Sequence, residues 1–212
     1  MTNFYFRQNF LQGNKMKKNF SKQISHQILI SEQKNLLIGN RIPKDYFMTS
    51  GVGESDNDVH AGSYHLALKE AGIEMCNILT YSSILPGIAT EIEKPSHLVH
   101  GSVMETINAT ANSESGQIAT AGLIFGWLYN KQTGEKYGGL VCEYNGHDIE
   151  EKAARNLKLR LNELYTNGYS EEFDLQDIKI IVKSFVPKKK YGTAIVAICF
   201  TSYVYPVIQN GV

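Results

Sequence analysis

Two adjacent serines, Ser82 and Ser83, lie where a predicted strand ends. The strand, residues 73–81, is apolar and rich in β-branched side chains, and Pro86 follows the serines. Because proline cannot donate a ladder hydrogen bond, we expect the strand to stop there. A hydroxyl pair at a strand end usually forms an ordinary turn. The alternative is a hydroxyl that attacks the neighbouring peptide carbonyl, so that the chain cuts itself.

A single carboxylate, Glu143, is the second chemical candidate. It follows Leu140, Val141 and Cys142 in a segment, residues 138–144, whose apolar character predicts a strand. One interpretation places Glu143 on the solvent-facing side of this strand. The other places it in an apolar pocket, where a carboxyl group could hold and deliver a proton.

Other catalytic patterns do not occur in the sequence. No serine lies in a GxSxG elbow, and no histidines have HExxH spacing, so neither a hydrolase triad nor a metal site is predicted. A metal bound by a His/Asp group within residues 54–65 stays open as an alternative. The glycine-rich stretch 50–58 has no GK[ST] ending and carries acids, and we interpret it as a loop that does not bind phosphate. The three cysteines, without CxxC spacing, are interpreted as buried free thiols: Cys76, Cys142 and Cys199.

The composition favours one globular domain that binds neither nucleic acid nor membrane. The chain has 212 residues, of which 42% are hydrophobic, and its 21 basic and 21 acidic side chains give no net charge. No apolar run reaches the roughly 18 residues of a membrane span. The first residues lack the apolar core of a signal peptide, so we expect a cytoplasmic protein. Residues 1–40 are polar and predict an extension before a compact domain over 41–212.

The predicted elements that position the two serines and Glu143 form an α+β fold. A helix over 64–71 ends at a cap glycine, Gly72, just before the strand that leads to Ser82. A second helix, 148–165, follows Glu143, and Asp148 is its predicted N-cap. Hydrophobic periodicity predicts further strands over 46–49, 116–127, 178–186 and 193–207, while residues 97–111 alternate only weakly. We expect a sandwich of mostly antiparallel strands with helices covering the sheet faces.

Four ordered segments together resemble the pyruvoyl-dependent arginine decarboxylase family. The first is similar to the family's early glycine-serine loop, and the second and third to the helix and the processing strand. The fourth is similar to the strand that carries the family's catalytic glutamate. The resemblance covers residues 41–205, and its segments are Gly51 to Ser55, Leu66 to Ile73, Asn77 to Pro86, and Gly139 to Gly146.

The resemblance implies that the chain cleaves itself. The Ser83 hydroxyl would attack the carbonyl carbon of Ser82, and the peptide would become an ester. Elimination would then free Ser82 as a chain end, and Ser83 would become a pyruvoyl group after loss of ammonia. The products would be a β chain, residues 1–82, and an α chain, residues 83–212. Only the carbonyl of Ser82 is needed, and Asn77 is expected to help polarise it or to bind substrate.

The resemblance also implies the reaction of the mature enzyme. The covalently bound pyruvoyl group forms a Schiff base with the substrate amine and acts as an electron sink for decarboxylation of arginine to agmatine. Glu143 is the expected proton donor to the α-carbon. Family members are trimers, or pairs of trimers, with sites between subunits. An uncleaved homologue that acts only as an assembly subunit is the alternative from another functional class.

One position departs from the family pattern and concerns the substrate. Family members carry an aspartate on the helix before the cleaved strand, and it contacts the substrate guanidinium. The equivalent residue here is His65, whose imidazole is a poor partner for guanidinium, while Leu68 on the same helix is a further expected substrate contact. Either Asp56 or Asp58 replaces the aspartate, or the substrate is another amino acid such as histidine or ornithine.

Overall fold

The computed structural model describes residues 38–208, and residues 41–204 form one compact unit. Its helices are α1 (His65–Ala71), which a π-helical turn over Val59–Tyr64 precedes, and α2 (Glu150–Gly168). Its strands are β1 (Ile42–Pro43), β2 (Asp45–Ser55), β3 (Asn77–Thr80), β4 (Ile84–Pro86), β5 (Thr90–Glu91), β6 (Val103–Glu114), β7 (Ala119–Asn130), β8 (Lys136–Gly146), β9 (Phe173–Phe185), β10 (Tyr191–Phe200) and β11 (Tyr203–Val204).

The strands of this unit form two large sheets and a short pair. The five-stranded sheet has the order β3-β6-β10-β2-β5, and the four-stranded sheet has the order β4-β8-β7-β9. Strands β1 and β11 pair with each other. All pairs are antiparallel except β3 with β6 and β2 with β5. The prediction of a mixed α+β fold with mostly antiparallel strands is confirmed.

The two sheets pack face to face, and each carries a helix on its outer face. The layer between the sheets contains Ile107, Leu123, Phe125 and Val196, all buried. Helix α1 covers the five-stranded sheet through a cluster that includes Leu68, and α2 covers the four-stranded sheet through residues such as Leu157. Burying each large apolar side chain contributes about 1.5–3 kcal/mol. The apolar layer between the sheets and the two clusters under the helices therefore hold the edges of both sheets in place around the paired serines.

The glycine-rich stretch is part of strand β2, and its interpretation as a loop was wrong. A Cβ atom on Gly51 would lie 2.2 Å from the Ala67 carbonyl oxygen, and one on Gly53 would lie 2.2 Å from the Ser63 carbonyl oxygen. The glycines are thus required by the close approach of the helical segment to the strand. Composition alone cannot separate this use of glycine from its use in loops.

The helix boundaries agree with the sequence at Gly72 and differ at Asp148. Gly72 ends α1 with a left-handed φ of 69°, as expected of a cap glycine. Helix α2 begins after Ile149, which caps it without a side-chain hydrogen bond. The Asp148 side chain instead accepts a hydrogen bond from the Tyr144 hydroxyl at 2.7 Å and pairs with Lys152. The prediction of a capping box at Asp148 was wrong because these two partners compete for the carboxylate.

The chain crosses between the two sheets at the paired serines. The predicted strand over 73–81 is shorter in the structure, since regular pairing begins at Asn77 and ends at Thr80. After three residues the chain enters β4, which pairs with β8 of the other sheet, and Pro86 lies inside this strand. Proline is tolerated there because β4 is an edge strand.

The described ends of the chain belong to a second small unit. Within it, Gly39 donates a backbone hydrogen bond to the Pro206 carbonyl at 2.8 Å, and Ile38 forms a bridge with Val207. Most of the predicted N-terminal extension, residues 1–37, lies outside the described residues. None of the helices between residues 38 and 208 is both long and apolar enough to span a membrane.

Candidate active site

The peptide bond between Ser82 and Ser83 is held from both sides by different sheets. On the upstream side, the Tyr81 N–H donates to the Thr106 carbonyl of β6 at 2.7 Å. On the downstream side, the Ser83 carbonyl accepts from the Val141 N–H of β8 at 3.1 Å. The bond therefore spans the gap between the five-stranded and the four-stranded sheet. Ser82 is exposed and Ser83 is half-buried.

Ser83 and Glu143 meet although 60 residues separate them in the sequence. The Ser83 hydroxyl donates a hydrogen bond to the Glu143 Oε1 atom. The register of β4 on β8 brings them together, since Ile84 pairs with Leu140 three residues before Glu143. A serine hydroxyl that donates to a carboxylate has a base in place to take its proton during an attack.

The carbonyl group that such an attack would reach is also hydrogen-bonded. The Ser82 carbonyl oxygen accepts from the Ile84 N–H at 3.0 Å, which closes a tight turn around Ser83. A donor on this oxygen stabilises the negative charge that develops there when the carbonyl carbon is attacked. The attacking hydroxyl of Ser83 and the N–H of Ile84 that binds the attacked carbonyl therefore lie on neighbouring residues. The base, Glu143, lies beside them on β8.

The surroundings of Glu143 differ from the expected pocket. Leu140 and Cys142 pack in the cluster under α2, whereas Val141 packs in the layer between the sheets. Because side chains alternate along a strand, Glu143 lies on the Val141 side, and the apolar residues next to it in sequence point the other way. Burial raises the pKa of the Cys142 thiol, which makes this cysteine a poor nucleophile.

An arginine of α2 holds the backbone at Glu143. Arg160 Nη1 donates to the Glu143 carbonyl oxygen at 2.8 Å, and its guanidinium lies 5.6 Å from the centre of the Tyr144 ring. Arg160 was not predicted to have this role. Its position on the exposed face of an amphipathic helix gives no signal in the sequence, because contact with β8 depends on how α2 lies across the sheet.

Asn77 lies five residues before Ser82, at the start of β3. Its side chain is exposed, and its amide nitrogen donates to the Gly101 carbonyl at 2.9 Å. Within residues 38–208, no hydrogen bond connects this side chain to Ser82 or Ser83. The structure thus places Asn77 on β3, the strand that leads to the paired serines, without joining it to them.

The residues expected to bind substrate lie before and on α1. Asp58 Oδ1 accepts from the Ala61 N–H at 2.9 Å and caps the π-helical turn, while Asp56 Oδ1 accepts from the Lys190 N–H at 3.2 Å. His65 is exposed at the first position of α1, and Leu68 is buried against the five-stranded sheet. No hydrogen bond or ion pair among the described residues joins Asp56, Asp58 or His65 to Ser83.

Comparisons with known proteins identify the family of this chain. The family model for pyruvoyl-dependent arginine decarboxylase (PvlArgDC) matches residues 45–205. This chain belongs to the pyruvoyl-dependent arginine decarboxylase family. A relative from Chlamydia abortus, pyruvoyl-dependent arginine decarboxylase AaxB, is 30% identical over 187 residues, which cover 78% of this chain and 94% of the relative. A pyruvoyl-dependent arginine decarboxylase from Thermococcus kodakarensis is 26% identical over 163 residues, which cover 76% of this chain and 97% of the relative.

Membership of this family implies a carboxy-lyase with a covalently bound pyruvoyl group. The residues present fit that group. Ser83 supplies a side chain with a β-oxygen, its carbonyl is fixed by Val141, and Glu143 lies against its hydroxyl. Among residues 38–208, no three His, Cys, Asp or Glu side chains are arranged to hold a metal ion.

Proposed function

We propose that this chain cleaves itself between Ser82 and Ser83 and then decarboxylates L-arginine to agmatine and carbon dioxide. The observation that carries the proposal is the hydrogen bond from the Ser83 hydroxyl to Glu143, beside the polarised Ser82 carbonyl. Membership of the decarboxylase family and the names of its relatives support the same reaction. We also assign the sandwich to the pyruvoyl-dependent decarboxylase type of fold.

In self-cleavage, Glu143 takes the proton of the Ser83 hydroxyl as the oxygen attacks the Ser82 carbonyl carbon. The Ile84 N–H stabilises the oxyanion. The C–N bond then breaks as Glu143 passes the proton to the departing nitrogen, and an ester with a free Ser83 amine remains. Loss of the Ser83 α-proton and of the Ser82 carboxylate leaves a double bond at residue 83. Water then replaces the nitrogen, ammonia leaves, and chains of 82 and 212 − 82 = 130 residues result.

In decarboxylation, the pyruvoyl group at residue 83 supplies a carbonyl that withdraws electrons from the substrate α-carbon. Val141 keeps the backbone of residue 83 fixed, so that the reacting carbon faces the same carboxyl group throughout. Glu143 gives its proton to the α-carbon after carbon dioxide has left. Arg160 holds the Glu143 backbone and thereby its side chain in this position.

We assign recognition of the guanidinium to Asp58, with Asp56 as the second candidate and Leu68 as an apolar contact. Asp58 is exposed and uses its Oδ1 atom for a single backbone contact, which leaves the other oxygen free to bind a cation. Asp56 is also exposed, but its Oδ1 atom anchors Lys190 of the β9–β10 loop. His65 lies one π-helical turn after Asp58 and cannot supply the negative charge itself.

We further infer that the site is completed by other copies of this chain, in a trimer or a dimer of trimers. Strands β3 and β4 are edge strands of their sheets, and the residues around them are unusually apolar for a surface. The exposed fraction is 49% for Leu79, 65% for Ile84 and 61% for Val103. The expected cytoplasmic location stays a prediction of the sequence.

The direct test of the reaction is release of carbon dioxide from a panel of amino acids. Arginine should be turned over well above ornithine and histidine, and agmatine should appear in equal amount. If one of the other amino acids is the best substrate, the chain is still a decarboxylase but the assignment of arginine is wrong. His65, which stands where the family carries an aspartate, would then explain the different substrate.

The matched variant for this test is Glu143→Gln, which keeps the size of the side chain and removes the acid. Losing a general acid costs about 10²–10⁴-fold in rate. Because Glu143 is also the proposed base for self-cleavage, turnover is expressed per cleaved chain. We expect this kcat for arginine to fall within that range, while Glu151→Gln on the outer face of α2 leaves both kcat and self-cleavage unchanged. Wild-type turnover by Glu143→Gln would remove Glu143 from the mechanism.

A further inference from the structure

One buried carboxylate, Glu105, takes no part in the reactions proposed above. It lies on β6 and is 2% exposed, in a row of inward-facing residues that continues with Ile107 and Ala109. A carboxylate at such a place is strongly unfavourable unless it is paired and hydrogen-bonded. It has two partners: the guanidinium of Arg41 forms an ion pair with it, and the Tyr81 hydroxyl donates a hydrogen bond to it.

Tyr81 is the residue immediately before the scissile pair. Its N–H is bound to the Thr106 carbonyl at 2.7 Å, its ring lies 5.8 Å from the Phe200 ring, and its hydroxyl reaches Glu105. The backbone and the side chain of Tyr81 are thus fixed on two neighbouring residues of β6. A residue held in this way cannot turn without breaking a hydrogen bond to a buried charge.

The scissile bond needs this support more on its upstream than on its downstream side. Downstream, Ser83 is bound through both its carbonyl and its hydroxyl. Upstream, β3 is an edge strand of four residues that ends at Thr80, and Ser82 is exposed. An attack over about 3 Å requires both sides of the bond to stay in register. The orientation of the Ser82 carbonyl therefore depends on how firmly Tyr81 is held.

We propose that Tyr81 is a positioning residue for self-cleavage: Glu105, fixed by Arg41, holds the Tyr81 hydroxyl and so keeps the Ser82 carbonyl within reach of the Ser83 oxygen. The inference rests on the proposed self-cleavage. Glu105 exchanges no proton with Ser83 and acts through Tyr81 alone. After cleavage, the same hydrogen bond keeps the new chain end at Ser82 on β6.

The test compares self-cleavage rates of Tyr81→Phe and the unsubstituted full chain. Phenylalanine keeps the ring that packs on Phe200 and loses only the hydroxyl. Freshly synthesised protein is sampled over time, and the loss of the 212-residue chain is measured by gel densitometry. We expect cleavage to slow by about tenfold, as for loss of one hydrogen bond to a charged acceptor.

The matched control is Tyr129→Phe, since the Tyr129 hydroxyl also donates to a carboxylate, that of Asp177, at 2.9 Å. This pair lies on β7 and β9, away from the serines, and its loss should leave the cleavage rate unchanged. Folding is followed separately in a Ser83→Ala background, where nothing is cleaved. There, Tyr81→Phe should still unfold cooperatively, with a melting temperature about 3–12 °C below its parent, as for loss of one hydrogen bond to a charged group.

A second variant tests the coupling between the two residues. Glu105→Gln keeps an acceptor for Tyr81 but loses the charge, and should slow cleavage less than Tyr81→Phe. In the double variant, Glu105→Gln should add less slowing than it causes alone, because its effect passes through the hydroxyl already removed. Effects that simply multiply would show that Glu105 does not act through Tyr81.

The outcomes separate this inference from the proposed function. A chain that stays a single polypeptide without any substitution overturns both self-cleavage and the role of Tyr81. Normal cleavage of the unsubstituted chain and of Tyr81→Phe overturns the positioning role alone. So does slow cleavage by a chain that no longer unfolds cooperatively in the Ser83→Ala background, since that would mark a general loss of folding.

Discussion

At the scale of single residues, the proposed self-cleavage gives the two serines different roles because their environments differ. Ser82 is exposed and contributes a carbonyl that the Ile84 N–H polarises. Ser83 is half-buried and its hydroxyl is bound to Glu143. Only a β-oxygen that can leave after an acyl shift allows residue 83 to become a keto group. The side chain at position 82 is not used in that sequence of steps.

Recognition of the substrate is tested by Asp58→Asn. Asparagine caps helices nearly as well as aspartate, so the hydrogen bond to Ala61 and the fold should be kept. The loss of the charge should raise KM for arginine by about tenfold or more, as for a hydrogen bond to a charged group, and leave self-cleavage intact. Steady-state kinetics on the purified, cleaved protein measure this.

The comparison for Asp58→Asn is Asp56→Asn, which carries the same change two residues earlier. If Asp58→Asn has unchanged kinetics and Asp56→Asn a raised KM, the guanidinium partner is Asp56. If neither changes KM, both acids are excluded from the site.

At the scale of elements, the close contact between β2 and α1 is a specific requirement for glycine. In Gly53→Ala the new methyl group would lie 2.2 Å from the Ser63 carbonyl oxygen and 2.4 Å from the Ala67 nitrogen. The helical segment must therefore move away from β2. We expect a loss of about 1–3 kcal/mol in the free energy of unfolding, measured by denaturant titration in the Ser83→Ala background.

The control for this contact is Gly168→Ala at the end of α2, where a Cβ atom would meet nothing within 4 Å. Alanine in a helix should stabilise by up to about 1 kcal/mol. Equal stability of the two alanine variants would contradict the account of the glycine-rich stretch.

A second prediction at this scale concerns α2, which positions Glu143 through Arg160. Arg160→Met keeps the aliphatic part of the side chain and removes the donor to the Glu143 carbonyl. Because the contact is exposed, we expect only about a three- to tenfold fall in kcat with little change in KM. Single-turnover kinetics would locate the loss in the chemical step.

Arg155→Met is the comparison for Arg160→Met, because Arg155 is exposed on the same helix. It should leave kcat unchanged. A fall in kcat of the same size in both variants would mean that the charge of α2, and not the contact with β8, affects turnover.

At the scale of the whole molecule, the site lies where the chain passes from one sheet to the other. Periodicity in the sequence predicted the fold class, whereas the roles of Ser83 and Glu143 came from the resemblance to the decarboxylase family, because a serine pair at a strand end and an isolated acid are ambiguous by themselves. The hydrogen bond between them depends on the register of β4 on β8. The hydrogen bond from Tyr81 to Glu105 likewise depends on parallel pairing of β3 with β6, which no local pattern specifies.

Sequence analysis failed for segments whose residue types are required by a contact with another part of the folded chain. The glycines of β2 look like a loop until α1 is packed against them. Asp148 looks like a cap until Tyr144 and Lys152 are placed beside it. In both cases local propensity was overridden by a tertiary contact.

Assembly is tested by Leu79→Arg, which places a charge on the exposed edge of β3. If other copies of the chain cover this edge, burial of an unpaired charge should dissociate the oligomer and lower activity together. Light scattering coupled to size exclusion measures the mass. Leu159→Arg on α2, 68% exposed, is the control and should keep the parental mass. A monomeric parent with full activity would contradict the inferred assembly.

The central claim, that Ser83 is the nucleophile by which the chain cleaves itself, is tested most directly by the intact mass of the purified protein. The account predicts two polypeptides that meet between Ser82 and Ser83, the larger one with a blocked amino terminus. It also predicts that Ser83→Ala gives one species of about 23.7 kDa. A single species of that mass from the unsubstituted chain, or cleavage that persists in Ser83→Ala, would contradict it.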